Sequence, residues 1–193
     1  MERITKKEME SVLTILKNPN KDYNANNLSL DINISRMGAL KIVKRLEKQG
    51  LLKSKKLGKS VFYKINLDNE YAIEYIIFLL KLEAEQTSPY VKRWVSELRK
   101  IRNASIIILF GSILDKNGKA NDIDALFVTN QENFSKLKKE AERINELSEK
   151  KLHPVYQTID DLKNNIKKND KVILNAIKGI IVFGYKDLME VLK

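Results

Sequence analysis

The chain has 193 residues, of which 43% are hydrophobic and 32% are charged, and it contains no cysteine. This length allows one full-sized domain or two small ones, and the composition is typical of a globular protein. The lack of cysteine excludes disulfide scaffolds, thiolate metal sites and a cysteine nucleophile. No apolar run approaches the ~20 residues that cross a bilayer, and the first residues lack a signal-peptide core. We therefore expect a cytoplasmic protein with no membrane partner.

Positive charge is concentrated at the N-terminus. Residues 1–66 contain 15 Lys and Arg against 6 Asp and Glu, a net charge of +9, whereas residues 67–104 are neutral and residues 105–193 carry a net +2. Such an asymmetry favours one module that contacts a polyanion and another with a different role. We predict three parts with these boundaries: an N-terminal domain, a connector and a C-terminal domain.

The N-terminal part has the pattern of three helices followed by a hairpin. A first helix begins behind Thr5, a second covers residues 25–30, and a third begins at Arg36 and ends at Gly50. In the third helix Met37, Leu40, Ile42, Val43 and Leu46 are the predicted core positions, and Arg36, Lys41, Lys44, Arg45 and Lys48 form the predicted exposed side. Two strand-like runs then flank Gly58, which favours a hairpin turn.

Residues 26–66 resemble the winged helix-turn-helix of prokaryotic transcription regulators of the MarR and ArsR type. In that family the third helix enters the major groove of double-stranded DNA and the wing contacts the flanking backbone. The resemblance implies base contacts at the start of the third helix and phosphate contacts from the wing. The predicted DNA-binding residues are Ser35, Arg36, Lys41, Lys53, Lys55, Lys56 and Lys59. Winged helices also serve as protein–protein or dimerisation modules, and the local charge favours DNA.

The connector, residues 67–104, is predicted to form two helices, over 70–82 and from Pro89 to Arg102. The apolar face of the first helix is wider than one stripe, which indicates burial against more than one neighbour. Because winged-helix regulators commonly dimerise to bind two half-sites, we expect a homodimer with the connector as its interface.

The C-terminal part contains a glycine-serine pair followed by two alternating carboxylates. A buried strand predicted over 105–110 ends directly in Gly111 and Ser112, and Asp122 and Asp124 open the next strand. Positions two apart on a strand face the same side, so the two carboxylates repel each other unless a cation joins them. Oxygen ligands of this kind suit Mg²⁺ or Mn²⁺ completed by water and phosphate oxygens.

Residues 109–128 resemble the signature of the DNA polymerase β-like nucleotidyltransferase superfamily. The resemblance implies a mixed sheet flanked by helices, so the whole chain is expected to be α+β or α/β. Gly111 and Ser112 would bind the phosphates of a nucleoside triphosphate, and Asp122 and Asp124 would be catalytic and hold the metal. The implied reaction transfers a nucleoside monophosphate to an acceptor and releases pyrophosphate.

His153 stands where this superfamily usually has a third carboxylate. A helix predicted over 132–151 precedes it, and it is the single histidine of the chain. Imidazole can act as a base but cannot bridge two metal ions as a carboxylate does. The sequence therefore leaves three functions open: an enzyme acting on a small molecule, protein or nucleic-acid end, a regulator with a catalytically silent domain for nucleotide sensing or dimerisation, and an antitoxin that modifies a protein acceptor.

Overall fold

The computed structural model describes residues 4–115 and 120–193, which form helices and two separate β-sheets. The chain divides into two compact units, Met1–Leu79 with Lys193 (unit 1) and Leu80–Leu192 (unit 2). None of the helices in these described ranges is both long and apolar enough to cross a membrane.

Unit 1 consists of three helices, a hairpin and the first part of a fourth helix. In chain order the elements are α1 (Lys6–Leu16), α2 (Ala25–Asp31), α3 (Arg36–Lys48), β1 (Leu52–Leu57), β2 (Ser60–Ile65) and α4 (Glu70–Glu85), which continues into unit 2. This order of elements is that of a winged helix. The predicted N-terminal fold is therefore confirmed.

The helices of unit 1 begin where the sequence supplies capping side chains. Thr5 and Glu8 form a reciprocal capping box at the start of α1, and Asn24 and Asn27 form another at the start of α2. Ser35 caps α3. Such caps satisfy backbone N–H groups that have no partner within the helix. The apolar faces then meet in a core that includes Val12, Leu28, Ile32, Ala39, Val43, Leu46 and Leu51.

The hairpin is a two-stranded antiparallel sheet in which Lys53 lies opposite Lys64 and Leu57 lies opposite Ser60. Gly58 occupies the turn at a φ of 59°, a left-handed conformation that glycine adopts without steric cost. The backbone N–H of Tyr63 donates to the carbonyl of Tyr23 at 2.7 Å, which anchors the base of the hairpin to the segment before α2.

Unit 2 is built on a four-stranded sheet with helices. After α5 (Pro89–Leu98) its elements are β3 (Ile106–Phe110), α6 (Ser112–Asp115), β4 (Asp122–Val128), α7 (Gln131–Leu147), β5 (Lys151–Gln157), α8 (Ile159–Lys167), α9 (Lys171–Ile177), β6 (Ile180–Phe183) and α10 (Tyr185–Leu192). The helix predicted to reach residue 151 ends at Leu147, and the connector helix predicted to reach Arg102 ends at Leu98.

The strand order of this sheet is β5-β4-β3-β6. β3 pairs antiparallel with β4 and β6, whereas β5 runs parallel to β4. All five residues of β3 are buried, as expected for a central strand. This arrangement brings the end of β3 and the starts of β4 and β5 to the same edge of the sheet.

Candidate functional sites

The exposed side of α3 carries a stripe of four side chains. Met37, Lys41, Lys44 and Lys48 are spaced by four, three and four residues, which places them on one face of a helix with 3.6 residues per turn. All four are exposed, while Ala39, Val43 and Leu46 on the other face are buried. The result is a cationic ridge with one apolar side chain at its N-terminal end. We call these four residues the α3 stripe.

Two of the residues predicted to contact bases lie beside the α3 stripe. The Oγ of Ser35 accepts a hydrogen bond from the backbone N–H of Gly38 at 3.1 Å, so this oxygen serves as the helix cap. Arg36 is exposed, but it precedes Met37 by one residue and is therefore rotated by about 100° around the helix. Lys41, the third predicted residue, lies within the stripe.

Met37 and Arg45 exchange the roles that the sequence pattern predicts. Met37, a predicted core position, is 62% exposed. Arg45, predicted on the exposed side, is partly buried and forms an ion pair with the buried carboxylate of Glu8. The reason is that Arg45 lies on the face of α3 that packs toward α1, where its guanidinium balances a charge that would otherwise be unpaired. Arg45 thus belongs to the framework of unit 1.

The wing presents exposed lysines at three of its four predicted contact positions without a compensating carboxylate. Lys55, Lys56 and Lys59 are exposed, and none has an acidic partner within ion-pair distance in the part of unit 1 that the structure describes. Lys53 differs, because its Nζ donates to Asp68 Oδ2 at 2.9 Å. This hydrogen bond and the charge of Lys53 lower the pKa of Asp68. Lys53 is therefore already engaged.

The second site lies at the edge of the sheet in unit 2, where Gly111 meets Asp124. Gly111 follows β3 at a φ of 80°, and a Cβ at this position would overlap Oδ2 of Asp124 and lie 3.1 Å from its Cγ. Phe110 and Asp124 are paired in the register of β3 and β4. Glycine therefore suits this position, because its φ is left-handed and the carboxylate of Asp124 lies in the space that a Cβ would take.

Asp122, Asp124 and His153 are brought together by strand register. His153 lies opposite Asp124 in the parallel pairing of β4 and β5, and its Nδ1 is 3.4 Å from Oδ2 of Asp122. Burial and the neighbouring Asp122 carboxylate raise the pKa of Asp124, and His153 acts in the opposite direction. A cation at this edge would relieve the repulsion between the two carboxylates.

The two carboxylates at this end of the sheet suit a cation that takes most of its ligands from water and from a bound phosphate group. Among the described residues, no group of three or more His, Asp or Glu side chains could by itself hold a metal ion. Two carboxylates with water and phosphate oxygens are the usual protein share of an Mg²⁺ site. Ser112 is the first residue of α6, and its hydroxyl makes no hydrogen bond to another described residue. We call Gly111, Ser112, Asp122 and Asp124 the glycine–carboxylate site.

Comparisons with known proteins give limited similarity. No protein-family model matches the sequence, and no curated protein is similar enough to match it. Among solved structures, a homodimeric winged helix-turn-helix DNA-binding domain from Mycobacterium bovis is 11% identical, with a TM-score of 0.35 over 42% of this chain and 71% of that chain.

Two further solved structures show the same level of similarity. Reduced HlyU from Vibrio cholerae is 18% identical, with a TM-score of 0.34 over 40% of this chain and 77% of that chain. The heme sensor protein PefR from Streptococcus agalactiae, in complex with heme, is 22% identical, with a TM-score of 0.36 over 51% and 72%. Similarity this low carries no assignment, so the winged-helix description rests on the elements of the chain itself.

Proposed function

We propose that unit 1 binds double-stranded DNA as a winged helix and that unit 2 binds a nucleoside triphosphate with a divalent metal. The observation that carries the first part is the set of exposed lysines on the α3 stripe and the wing, in a segment with a net charge of +9. Lysine contacts to phosphates release counterions, and this supplies most of the affinity of such domains. The expected role of the molecule is that of a DNA-binding regulator.

The α3 stripe and the wing are proposed to make different contacts with DNA: the stripe contacts bases in the major groove, and the wing contacts phosphates. Met37 is the exposed apolar side chain at the N-terminal end of α3, where contact with base edges is expected, and a thymine methyl group is the apolar feature that the major groove presents. Lys41 follows one turn later and can donate to base or phosphate acceptors. Lys55, Lys56 and Lys59 contact phosphates, which positions the domain without specifying sequence.

DNA binding is tested by fluorescence anisotropy of the full chain with a labelled duplex over a series of salt concentrations. The paired change Lys41→Ala and Lys44→Ala removes two cations of the stripe and is expected to reduce the log–log salt slope by about 1.8, at ~0.9 for each phosphate contact. The matched control is Lys167→Ala with Lys171→Ala, which removes two exposed cations of unit 2. Equal slopes for both variants and the wild type would contradict the proposal.

In unit 2 the glycine–carboxylate site is proposed to bind the phosphates of a nucleoside triphosphate with Mg²⁺ or Mn²⁺. The close approach of Gly111 to Asp124 supports this assignment, because it places glycine backbone directly beside a pair of repelling carboxylates. The metal, when bound, would neutralise phosphate charge. Asp122 and Asp124 supply its protein ligands, and Gly111 and Ser112 lie where a phosphate would approach.

Two outcomes are compatible with nucleotide binding at this site. In one, a nucleoside monophosphate is transferred to an acceptor hydroxyl, for example on a protein, and pyrophosphate leaves. In the other, the domain binds nucleotide without turnover. His153, whose Nδ1 is 3.4 Å from Oδ2 of Asp122, favours nucleotide binding without turnover as the alternative function. It is an imidazole at the position where the superfamily that this chain resembles usually has a third, catalytic carboxylate.

Metal-dependent nucleotide binding is tested by calorimetry with ATP and Mn²⁺. Asp122→Asn and Asp124→Asn each keep the size of the side chain and remove its charge, so each is expected to abolish metal-dependent binding. Asp160→Asn, an exposed carboxylate at the start of α8, is the control and should bind as the wild type does. Release of pyrophosphate on addition of cell lysate would then identify turnover, and its absence would identify a nucleotide sensor.

A homodimer is proposed through the N-terminal part of α4. Tyr71 and Phe78 are 50% and 54% exposed, and Tyr75 lies between them on the same face with its ring 6.1 Å from that of Tyr71. An aromatic stripe of this kind is more apolar than a free surface usually is. Sedimentation of the full chain should give a dimer, and Tyr71→Ser with Phe78→Ser should give a monomer. A monomeric wild type would contradict this assembly.

A further inference from the structure

A second cavity in unit 2 is separate from the glycine–carboxylate site. It has a volume of about 640 Å³ and lies between α5 and α7. Pockets of ~300–1,000 Å³ are the usual size for small organic ligands. The lining positions recur at helical spacing, so one face of each helix forms a wall. They include Tyr90, Arg93, Trp94 and Glu97 on α5, and Glu140, Arg143, Ile144 and Leu147 on α7.

Part of the cavity lining is apolar. Trp94 and Ile101 are buried in the core of unit 2, and Ile144 packs against that core. Tyr90 also packs against that core, and its hydroxyl is buried rather than open to the cavity.

Two of the three carboxylates in the lining are already engaged. Glu97 forms an ion pair with Lys100 at 2.7 Å. Glu140 accepts hydrogen bonds from the backbone N–H groups of Arg102 and Asn103, and from the side-chain amide of Asn103 at 2.9 Å. These carboxylates therefore hold the local framework in place.

The guanidinium groups of the lining are not engaged in this way. Within the described ranges, neither Arg93 nor Arg143 has a carboxylate at ion-pair distance, although Glu140 follows the same face of α7 as Arg143. Lys100 and Lys150 bring the lining to four cations, against the three carboxylates of Glu97, Glu140 and Glu149. The cavity lining therefore combines apolar side chains with more cations than carboxylates.

We propose that this cavity binds a small organic anion with an aromatic or aliphatic body. Arg93 and Arg143 bind the anionic group through charge-assisted hydrogen bonds, which suit carboxylates, sulfonates and phosphates. Trp94 and Ile144 contact the apolar body of the ligand. This site shares no lining residue with the glycine–carboxylate site, so it adds a second ligand to unit 2.

The test uses 8-anilinonaphthalene-1-sulfonate, a fluorescent probe that has both an aromatic body and an anionic group. The folded full chain is expected to bind it at one saturable site. Arg93→Gln and Arg143→Gln should each weaken binding about tenfold, the effect of losing one charge-assisted hydrogen bond. The control is Lys139→Gln, an exposed cation of α7 outside the cavity, which should leave the affinity unchanged.

Two further measurements separate this site from adsorption to apolar surface. N-phenyl-1-naphthylamine has the aromatic body without the sulfonate, and it should bind at least about tenfold more weakly. Tyr90→Phe removes only a hydroxyl that is buried away from the open cavity, so it should leave specific probe binding unchanged. The proposal is overturned if binding does not saturate, if both arginine variants bind as the wild type does, or if the neutral probe binds equally well.

Discussion

Glu8 is the residue on which the position of α3 depends in unit 1. Its side chain is only 3% exposed, accepts hydrogen bonds from the backbone N–H and the hydroxyl of Thr5 at 2.8 Å each, and pairs with Arg45 of α3. One carboxylate therefore caps α1 and pairs with the helix that carries the α3 stripe. The same residue reads from the sequence only as half of a capping box.

Replacing Glu8 should destabilise unit 1 far more than replacing its neighbour Glu10. Glu8→Gln removes a buried charge that pairs with Arg45 and accepts two hydrogen bonds from Thr5, and we expect the free energy of unfolding to fall by about 2 kcal/mol. Glu10→Gln removes a partly exposed pair with Lys7 and should cost less than about 1 kcal/mol. Urea denaturation followed by circular dichroism measures both, and similar losses for the two variants would argue against the framework role of Glu8.

Gly111 and Gly58 both have a positive φ, but only Gly111 has a neighbour in the space of a side chain. At Gly58 a Cβ would meet nothing within 4 Å, so Gly58→Ala should cost only the left-handed backbone strain of about 1 kcal/mol. Gly111→Ala adds a collision with Asp124 and should lower the melting temperature further. It should also abolish metal-dependent nucleotide binding in calorimetry, whereas Gly58→Ala should leave that binding intact.

At the level of single residues, the sequence predicted which side chains lie near one another better than it predicted which side chains are exposed. Gly111, Asp122 and Asp124 were assigned to one site by resemblance, and strand register places them, together with His153, at the same end of the sheet. Met37 was assigned to the core because it is apolar. The signal for its true position was its spacing of four and seven residues from lysines that are themselves exposed.

Among the elements, the wing contains both a lysine that is paired with a carboxylate and lysines that are not paired with one in the described part of unit 1. Lys53 is paired with Asp68, and Lys55, which lies on the same strand face two residues later, is not. Lys55→Ala should therefore reduce the salt slope of DNA binding by about 0.9, the value for one phosphate contact. Lys53→Ala should change it much less. A larger effect of Lys53 in anisotropy titrations would show that its pair with Asp68 opens on DNA.

The capping box at the start of α8 leads us to expect that the stability of the protein depends on pH in the acid range. The carboxylate of Asp161 accepts hydrogen bonds from the hydroxyl and the backbone N–H of Thr158, and these lower the pKa of Asp161. A lowered folded-state pKa stabilises the protein above the ordinary carboxyl pKa, and this contribution is lost as the pH falls through the lowered value.

Asp161→Asn should therefore lower the melting temperature by a few degrees at neutral pH, with a difference that shrinks in strong acid. The control is Asp160→Asn, because Asp160 lies next to the cap without being part of the capping box. A difference between Asp161→Asn and the wild type that is constant across the acid range would contradict the assignment of the cap.

Element boundaries depend on contacts that the sequence does not reveal. The helix predicted through residue 151 ends at Leu147, because residues from Lys151 on pair with β4 as a parallel strand. Parallel pairing joins segments far apart in sequence, so no local pattern predicts where β5 begins. By contrast, α1, α2 and α3 begin where Thr5, Asn24 and Ser35 supply caps, and these starts are local features.

At the scale of the whole molecule, the positive charge and the candidate ligand sites lie in different units. The net charge of +9 lies in residues 1–66, within unit 1, while the glycine–carboxylate site and the α5–α7 cavity lie in unit 2. The uneven charge was visible in the sequence and indicated two modules. The cavity was not visible in the sequence, because its lining residues come from two helices that are far apart along the chain, and each residue alone has the pattern of a solvated charge or a core position.

The central claim is that DNA binding and nucleotide binding reside in different units, and paired binding titrations on two variants test it most directly. The wing variant carries Lys55→Ala, Lys56→Ala and Lys59→Ala, and the acid-site variant carries Asp122→Asn and Asp124→Asn. Each variant is titrated with a labelled duplex and, separately, with ATP and Mn²⁺. We predict that the wing variant loses DNA affinity but binds nucleotide as the wild type does, and that the acid-site variant shows the reverse. Loss of both activities in either variant, or retention of both, would contradict the account.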